Sequence, residues 1–454
     1  MTGTHARQLL DLYGAWNDAS LSAHSREVAR MGILDCAGCI VAGASTPTAR
    51  LVRELAAEQG VVAQSSVLGT RLKLSPPLAA LANGVAGHVL DYDDMSSTML
   101  GHPSVVLVPA IFALAQARRK SGREAVCAFV LGFEVDAWFG RLMIPRHYDA
   151  GWHATSSLGI FGAAAAASRL LGLDARGMLN ALAIAASNVA GLRANFGSMT
   201  KSLHAGQAAE GGLRAAMLSA RGFTANAGVF DAAGGFFEAY GMERGRRAAP
   251  ADGRLEIDAS GIGIKPYACC GAGVSLIDAA LELHAAHAPE AGEIVALECR
   301  VSDMATRIMP FHAAADGLQA KYCLEYCAAV ALLDGKGGLA QFGDERVRRA
   351  DVQQLLGRVS VKADPGMASG AGRFGVALSA RMRDGRTLTA SLELPRGHPS
   401  RPLAPDQLVA KFLECAVPVL GGARAQEAAA RLQDIDRLDR LEPLIDVLCP
   451  GEDP

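Results

Sequence analysis

From the N-terminus to about residue 260, apolar positions recur at three- and four-residue spacings in Ala-rich stretches separated by Gly, Pro and Ser-Thr punctuation. This periodicity predicts a succession of helices. Representative stretches are "SREVARMGILDCAGCIVAG", "PPLAALANGVAGHVLDYDD", "HPSVVLVPAIFALAQARRKSG", "SSLGIFGAAAAASRLLGL" and "AGQAAEGGLRAAMLSARGFT". Their small side chains permit close helix–helix approach. After "GIGIKPYACCGAG" the pattern becomes mixed. "VSLIDAALELHAAH" and "KYCLEYCAAVALLDG" keep the helical period, whereas "VALSARMRDGRTLTASLEL" alternates on both sides of Asp384-Gly385, a hairpin signal. "IVALECRVSD" and "GRVSVKAD" are further strand candidates, so this middle region reads as α+β. Beyond "PRGHPSRPLAPDQ" the chain returns to helices that can rejoin the helical half.

A chain of 454 residues is long enough for two or three domains and an enclosed pocket. Lys plus Arg number 44 against 46 Asp plus Glu, a net charge of −2 with no long run of either sign, which argues against a nucleic-acid partner. The apolar runs are broken, by Pro109 in "VVLVPAIFALAQA" and by Arg169 in "LGIFGAAAAASRLLGL", so no membrane span is expected. The opening "MTGTHARQLLDLYGAW" has no basic stretch followed by an apolar run, and a cytoplasmic location is the expectation. The ten cysteines show no framework spacing. Cys36 and Cys39 form a C-x-x-C, but within an apolar helix. Like Cys323 and Cys327, one turn apart, they are expected to be core thiols. No internal repeat, phosphate-binding loop, nucleophile elbow or dinucleotide fingerprint is present.

Chemistry enters with "HVLDYDDMSSTMLGHPSVV", which places Asp91, Asp93 and Asp94 at the expected C-terminal end of a helix. Acidic groups are unfavourable there by about 0.3–1 kcal/mol each. A broken local rule often marks a functional site, although a solvated acidic turn reads the same way on this segment alone. Three basic sites recur just ahead of apolar helices: His102 before Pro103 and Ser104, His153 in "GWHATSSLGIFG", and Lys201 with His204 in "GSMTKSLHAGQAAEGG". A helix N-terminus favours anions and keeps a histidine neutral. Three unrelated polar caps would look the same. Lys265 in "IKPYACCGAG" stands at the junction of the two regions, where ligand clefts are common. Lys321, Tyr322 and Tyr326 cluster in "AKYCLEYCAAV".

In combination and in this order, "HVLDYDD", "GHPSVVLVPAIFALA", "GWHATSSLGIFGAAAAAS", "MTKSLHAGQAAEGGL", "ARGFT", "IKPYACC" and "AKYCLEYCAAVALLDG" resemble the MmgE/PrpD family of 2-methylcitrate dehydratases, cis-aconitate decarboxylases and iminodisuccinate epimerases. The resemblance covers nearly the whole chain. It implies a mainly α fold, with a large all-helical domain formed by both chain ends (1–262 and 402–454) and a smaller inserted α+β lid domain (263–401). It also implies a homodimer and an active site in the cleft between the domains. Asp91, His102, His153, Lys201, Lys265 and Tyr326 fall on positions that line the family's site, and Tyr148 in "RHYDAGWH" matches a proposed acid–base tyrosine of the epimerases. The implied roles are catalytic for His102, His153, Lys201, Tyr148 and Tyr326, and substrate-binding for Asp91, Lys265, His204, Met95 and Cys270. Asp91 is expected on the same helical face as His88, pointing into the cleft, with Asp93 pointing away from that face and, together with Asp94, holding the loop toward His102.

The implied substrate is a di- or tricarboxylate, transformed at a carbon next to a carboxylate without metal or organic cofactor. A 2-methylcitrate dehydratase-like hydro-lyase is the first expectation. A cis-aconitate-type decarboxylase and an iminodisuccinate-type epimerase are the alternatives, and a non-catalytic carboxylate-binding protein is the alternative of another class. The chain departs from its relatives at Met95, where many carry Thr or Ser, at Cys270, where the decarboxylases carry His, and near Val274, which replaces a further His. None of the three side chains substitutes for those hydrogen-bonding groups.

Overall fold

Helix Ala23–Gly43 starts where Ser22 Oγ accepts the Ser25 N–H at 2.9 Å, and it runs buried through the middle of the helical region. The computed structural model describes residues 3–451 apart from 15, 61, 243–247, 249–252 and 371. Pro76–His88, Ser104–Ala117 and Gly122–Met143 pack on this helix, Gly159–Leu170 and Met199–Ser219 pack on those in turn, and Ala175–Ala186 packs on the latter two. Glycine sets the closest approach. A Cβ on Gly84 would come within 2.7 Å of Gly206 Cα, so Pro76–His88 and Met199–Ser219 meet backbone to backbone. That crossing brings His88 at the end of one helix toward Lys201 and His204 at the start of the other.

The mixed region holds a four-stranded sheet in the order Val359–Ala363, Ile294–Val301, Val376–Met382, Thr387–Leu392. The first pair is parallel and the other two are antiparallel. The last pair is the hairpin that the alternating pattern predicted around Asp384-Gly385. Helix Val274–His287 covers two of the strands and packs on Leu324–Asp334. The fold is thus mainly helical with a small mixed sheet.

The C-terminal helix Pro405–Leu420 lies against Ala23–Gly43, joined by a buried ion pair between Lys411 Nζ and Asp35 Oδ1 at 2.5 Å. The same ammonium donates to the Tyr92 carbonyl at 2.7 Å. Among the described residues, no single helix is long and apolar enough to cross a membrane. Cys36, Cys39, Cys323 and Cys327 are buried free thiols, as their helical context predicted.

Two local expectations need correction. The first half is not purely helical, since Ser65–Ser66 pairs antiparallel with Lys73–Leu74. The helix expected to carry the three aspartates ends at His88.

Candidate active site

Beyond His88 the chain turns sharply, and Asp91 adopts a left-handed backbone conformation with φ 51°. For a residue with a Cβ this costs about 1–2 kcal/mol. The turn directs both the carbonyl and the carboxylate of Asp91 at one group, because Lys265 Nζ donates to Asp91 O at 2.5 Å and to Oδ1 at 2.6 Å. Lys201 Nζ lies 3.0 Å from Oδ2, which also accepts from the Tyr322 hydroxyl. All four residues are buried. Burial alone would raise the Asp91 pKa, but Lys201 and Lys265 outweigh it and hold the carboxyl well below the usual range. Lys265 is raised in turn, with Asp91 overcoming its own desolvation. Asp91 therefore does not share a helical face with His88. It is a loop residue whose position is set by its φ and by two ammonium groups.

Asp94 holds the loop toward His102, as expected, through its carbonyl 2.7 Å from His102 Nδ1, and Asp93 faces the same ring rather than solvent. Asp93 is fully buried, and its Oδ2 accepts from His88 Nδ1 at 2.7 Å and lies 3.4 Å from His102 Nδ1. Asp94 caps the following helix through the Ser104 N–H at 3.2 Å and the Ser104 hydroxyl, and burial holds its carboxyl well above the normal range despite those bonds. The helix-terminus argument placed three acids on a helix end, whereas the structure puts all three beyond it, each with a different partner.

The hydrogen bonds define protonation states. A carbonyl only accepts, so the 2.7 Å contact between His102 Nδ1 and Asp94 O places the proton on Nδ1 and leaves Nε2 as a base. His102 is held in place by its own N–H on Thr155 Oγ1 at 3.1 Å. His88, with Nδ1–H on Asp93, has an Nε2 without a partner among the described residues. His153 Nδ1 and His204 Nδ1 lie 3.1 Å apart, so one donates and the other accepts, and His153 Nε2 is also buried without a described partner. The rings of His102 and His153 flank that of His88, with centroids at 4.7 and 5.6 Å. Desolvation lowers every one of these imidazoles, His102 to about 3 and His204 to about 4, so they stay neutral near pH 7.

Lys201 and His204 lie inside the first turns of Met199–Ser219 rather than ahead of it, and His153 caps only the single turn Ala154–Ser157. Met95 joins the acidic loop to the junction through paired backbone hydrogen bonds with Gly263, both 2.8 Å, and its thioether lies across Gly271, where a Cβ would meet Sδ at 2.0 Å. The Cys270 thiol is pushed up to about 12 by burial and then by Asp91, which places it beside the cluster. Val274 opens helix Val274–His287 and is buried. The ring of Tyr148 is stacked by Arg193 at 3.9 Å, and burial pushes its hydroxyl up against the opposing pull of that guanidinium.

Tyr326 lies apart from this cluster. Its hydroxyl donates to the Gln341 carbonyl and its ring packs on Phe342. The phenol that reaches Asp91 is Tyr322, one turn earlier; spacing in "KYCLEY" could not choose between the two. Lys321, beside it, lines the same cavity as Asp91 and Lys201. That cavity is about 10 Å³, room for one water.

His88, Asp93 and His102 offer ligand atoms within 4.8 Å of one another, a donor set that suits a divalent cation and that the sequence spacing did not reveal. Here Asp93 Oδ2 is already engaged by His88 and feels the positive charge of Lys265, which opposes a cation. What the whole arrangement suits is an anionic ligand, held by ammonium groups beside neutral imidazoles that can move protons.

Comparison with known proteins identifies the family. The MmgE/PrpD N-terminal domain model matches residues 14–247, and the MmgE/PrpD C-terminal domain model matches residues 267–435. The cis-aconitate decarboxylase of Mus musculus is 30% identical over 84% of this chain and 80% of its own length. That of Homo sapiens is 28% identical over 92% and 88%, and that of Aspergillus terreus 28% over 94% and 92%. On the family models and the full-length similarity together, the chain belongs to the MmgE/PrpD family.

Proposed function

We propose that the protein is a cofactor-independent lyase acting on a di- or tricarboxylate, and that loss of CO₂ from a cis-aconitate-like substrate is its reaction. The observation that carries the reaction class is the pair of buried ammonium groups, Lys201 and Lys265, sharing the single carboxylate of Asp91. Such a site has positive charge to spare for a carboxylate whose electron density rises as a neighbouring bond breaks. Similarity to cis-aconitate decarboxylases favours CO₂ loss among the family's reactions.

In this reading the bond from carbon to the departing carboxylate breaks, CO₂ leaves, and the electron pair remains on carbon, delocalised toward a carboxylate held by the lysines. A proton then reaches that carbon from His153 Nε2. It is replaced at Nδ1 from His204 through their 3.1 Å contact, and His204 recovers a proton from water.

Dehydration is the second reading, favoured by one observation. His102 presents an unprotonated Nε2, a base that CO₂ loss does not need and removal of a C–H proton does. The family resemblance also implies a histidine in the decarboxylases at the position of Cys270. Incubation with cis-aconitate, 2-methylcitrate and iminodisuccinate in D₂O, followed by NMR and CO₂ trapping, separates the readings. CO₂ release from cis-aconitate is the expected result. Water loss, or solvent exchange without net conversion, would replace it with dehydration or epimerisation, and binding without any change would leave a carboxylate-binding protein.

A further inference from the structure

The cluster contains three ammonium groups, and they are not equivalent. Lys201 and Lys265 lie 3.0 and 2.6 Å from Asp91. Lys321 has no carboxylate within 4.0 Å among the described residues. Its Nζ donates to the Ala268 carbonyl at 3.2 Å and stands 5.1 Å from the centre of the Phe342 ring. An ammonium has three N–H donors, and among the described residues one acceptor faces them, the Ala268 carbonyl. Yet Lys321 is 5% exposed. Burying a charge with so few partners is unfavourable, and an apolar side chain would fill the same volume without that cost.

The position of Lys321 gives it a use. It follows the short helix Gly317–Ala320, just ahead of Leu324–Asp334 in the α+β region, whereas Lys201 comes from Met199–Ser219 in the helical region. Both residues line the cavity that Asp91 and Tyr322 also line, and they come to it from different parts of the fold. Burial lowers the Lys321 ammonium to about 8, and Asp91 is the charge that most offsets that burial.

We propose that Lys321 is a carboxylate subsite supplied by the α+β region, which holds a substrate carboxylate other than the one facing Lys201 and Lys265 and so selects tricarboxylates over dicarboxylates. This rests on the polycarboxylate reading above and adds a specificity residue to it.

The test is calorimetric titration of the full chain with two unreactive probes, tricarballylate (propane-1,2,3-tricarboxylate) and glutarate (propane-1,3-dicarboxylate), alongside Lys321→Met. The variant should keep its melting transition and lose roughly 10- to 100-fold in tricarballylate affinity, the worth of a charge-assisted hydrogen bond, with no more than about a threefold change for glutarate. Lys321→Gln carries the same expectation should the methionine variant not fold. Equal losses for both probes, or none for tricarballylate, overturn the subsite. A wild-type chain that binds neither probe overturns the subsite and the polycarboxylate reading together. Lys321-dependent tricarballylate binding by a protein that converts no polycarboxylate leaves the subsite standing and removes only the reaction.

Discussion

A single ammonium, Lys265 Nζ, holds both the main-chain carbonyl and the carboxylate of Asp91, at 2.5 and 2.6 Å. The left-handed turn at Asp91 makes this two-point contact possible, and the contact in turn holds the turn in place. Asp91→Asn therefore leaves two buried ammonium groups without a counter-charge, and should lower stability by about 3–5 kcal/mol as well as activity. The double variant Asp91→Asn with Lys265→Met should recover part of that loss in denaturant unfolding. Additive losses would show that the two residues are not coupled.

Lys201→Ala should fold, melt normally and lose about 10²–10³ in kcat/KM, the usual effect of removing one preorganised charge from a reacting carboxylate. Turnover close to wild type would remove Lys201 from the reaction. Asp93→Asn is expected to be damaging as well, because Asp93 orients His88 and faces His102. The periodicity of the sequence suggested the opposite. It assumed the helix continued through residue 94, and nothing in the residues between His88 and Asp93 marks the break as clearly as a Gly or Pro would.

The two tyrosines separate a functional from a structural phenol. Tyr322→Phe removes a hydrogen bond to Asp91 and should reduce kcat/KM by at least about tenfold. Tyr326→Phe removes one to a backbone carbonyl and should cost about 1 kcal/mol of stability with kcat unchanged. The reverse ranking in steady-state assays would return Tyr326 to the site.

Acid should expose the neutral histidines. His147 is lowered to about 4 by burial, with Nδ1 3.1 Å from the Tyr240 carbonyl and Nε2 2.7 Å from Ser157 Oγ. Its ordinary value is near 6.5, so below that pH the unfolded chain takes up a proton that the folded chain refuses. The stability this residue contributes is present above pH 6.5 and lost as pH falls toward 4. His147→Gln, which cannot titrate, should be the less stable protein at pH 7, with the gap narrowing by on the order of 2–3 kcal/mol by pH 4. A gap that stays constant across that range would show that His147 is protonated in the fold.

Chelation tests the role of the His88, Asp93 and His102 group. Activity should survive prolonged treatment with EDTA, since Lys265 opposes a cation there and the proposed chemistry uses only side chains. Loss on chelation with recovery on adding Zn²⁺ or Mg²⁺ would overturn that expectation.

Much of this molecule was legible in its residues, and the limits have a physical cause. The helices, the mixed region and the Asp384-Gly385 hairpin follow from local periodicity, which a short window of sequence contains. Asp91, His102, His153, Lys201 and Lys265 stood out because each breaks a local rule or sits at a helix start or domain junction. Their convergence depends on the Gly84–Gly206 crossing and on the turn at Asp91, both of them tertiary. The choice between Tyr322 and Tyr326, the place of Asp93 and the isolation of Lys321 are likewise decided by distant partners.

The bond from Lys411 to the carbonyl of Tyr92 bears on how the protein is made. Tyr92 lies between Asp91 and Asp93, and the side chain that fixes its carbonyl is encoded more than three hundred residues later. On a ribosome the helical half can collapse well before that lysine emerges. The acidic loop then lacks one of its tethers until Pro405–Leu420 docks on Ala23–Gly43. A nascent chain stalled before residue 411 would therefore carry nearly all the reactive groups while lacking the one tether that reaches the acidic loop from the C-terminal helices.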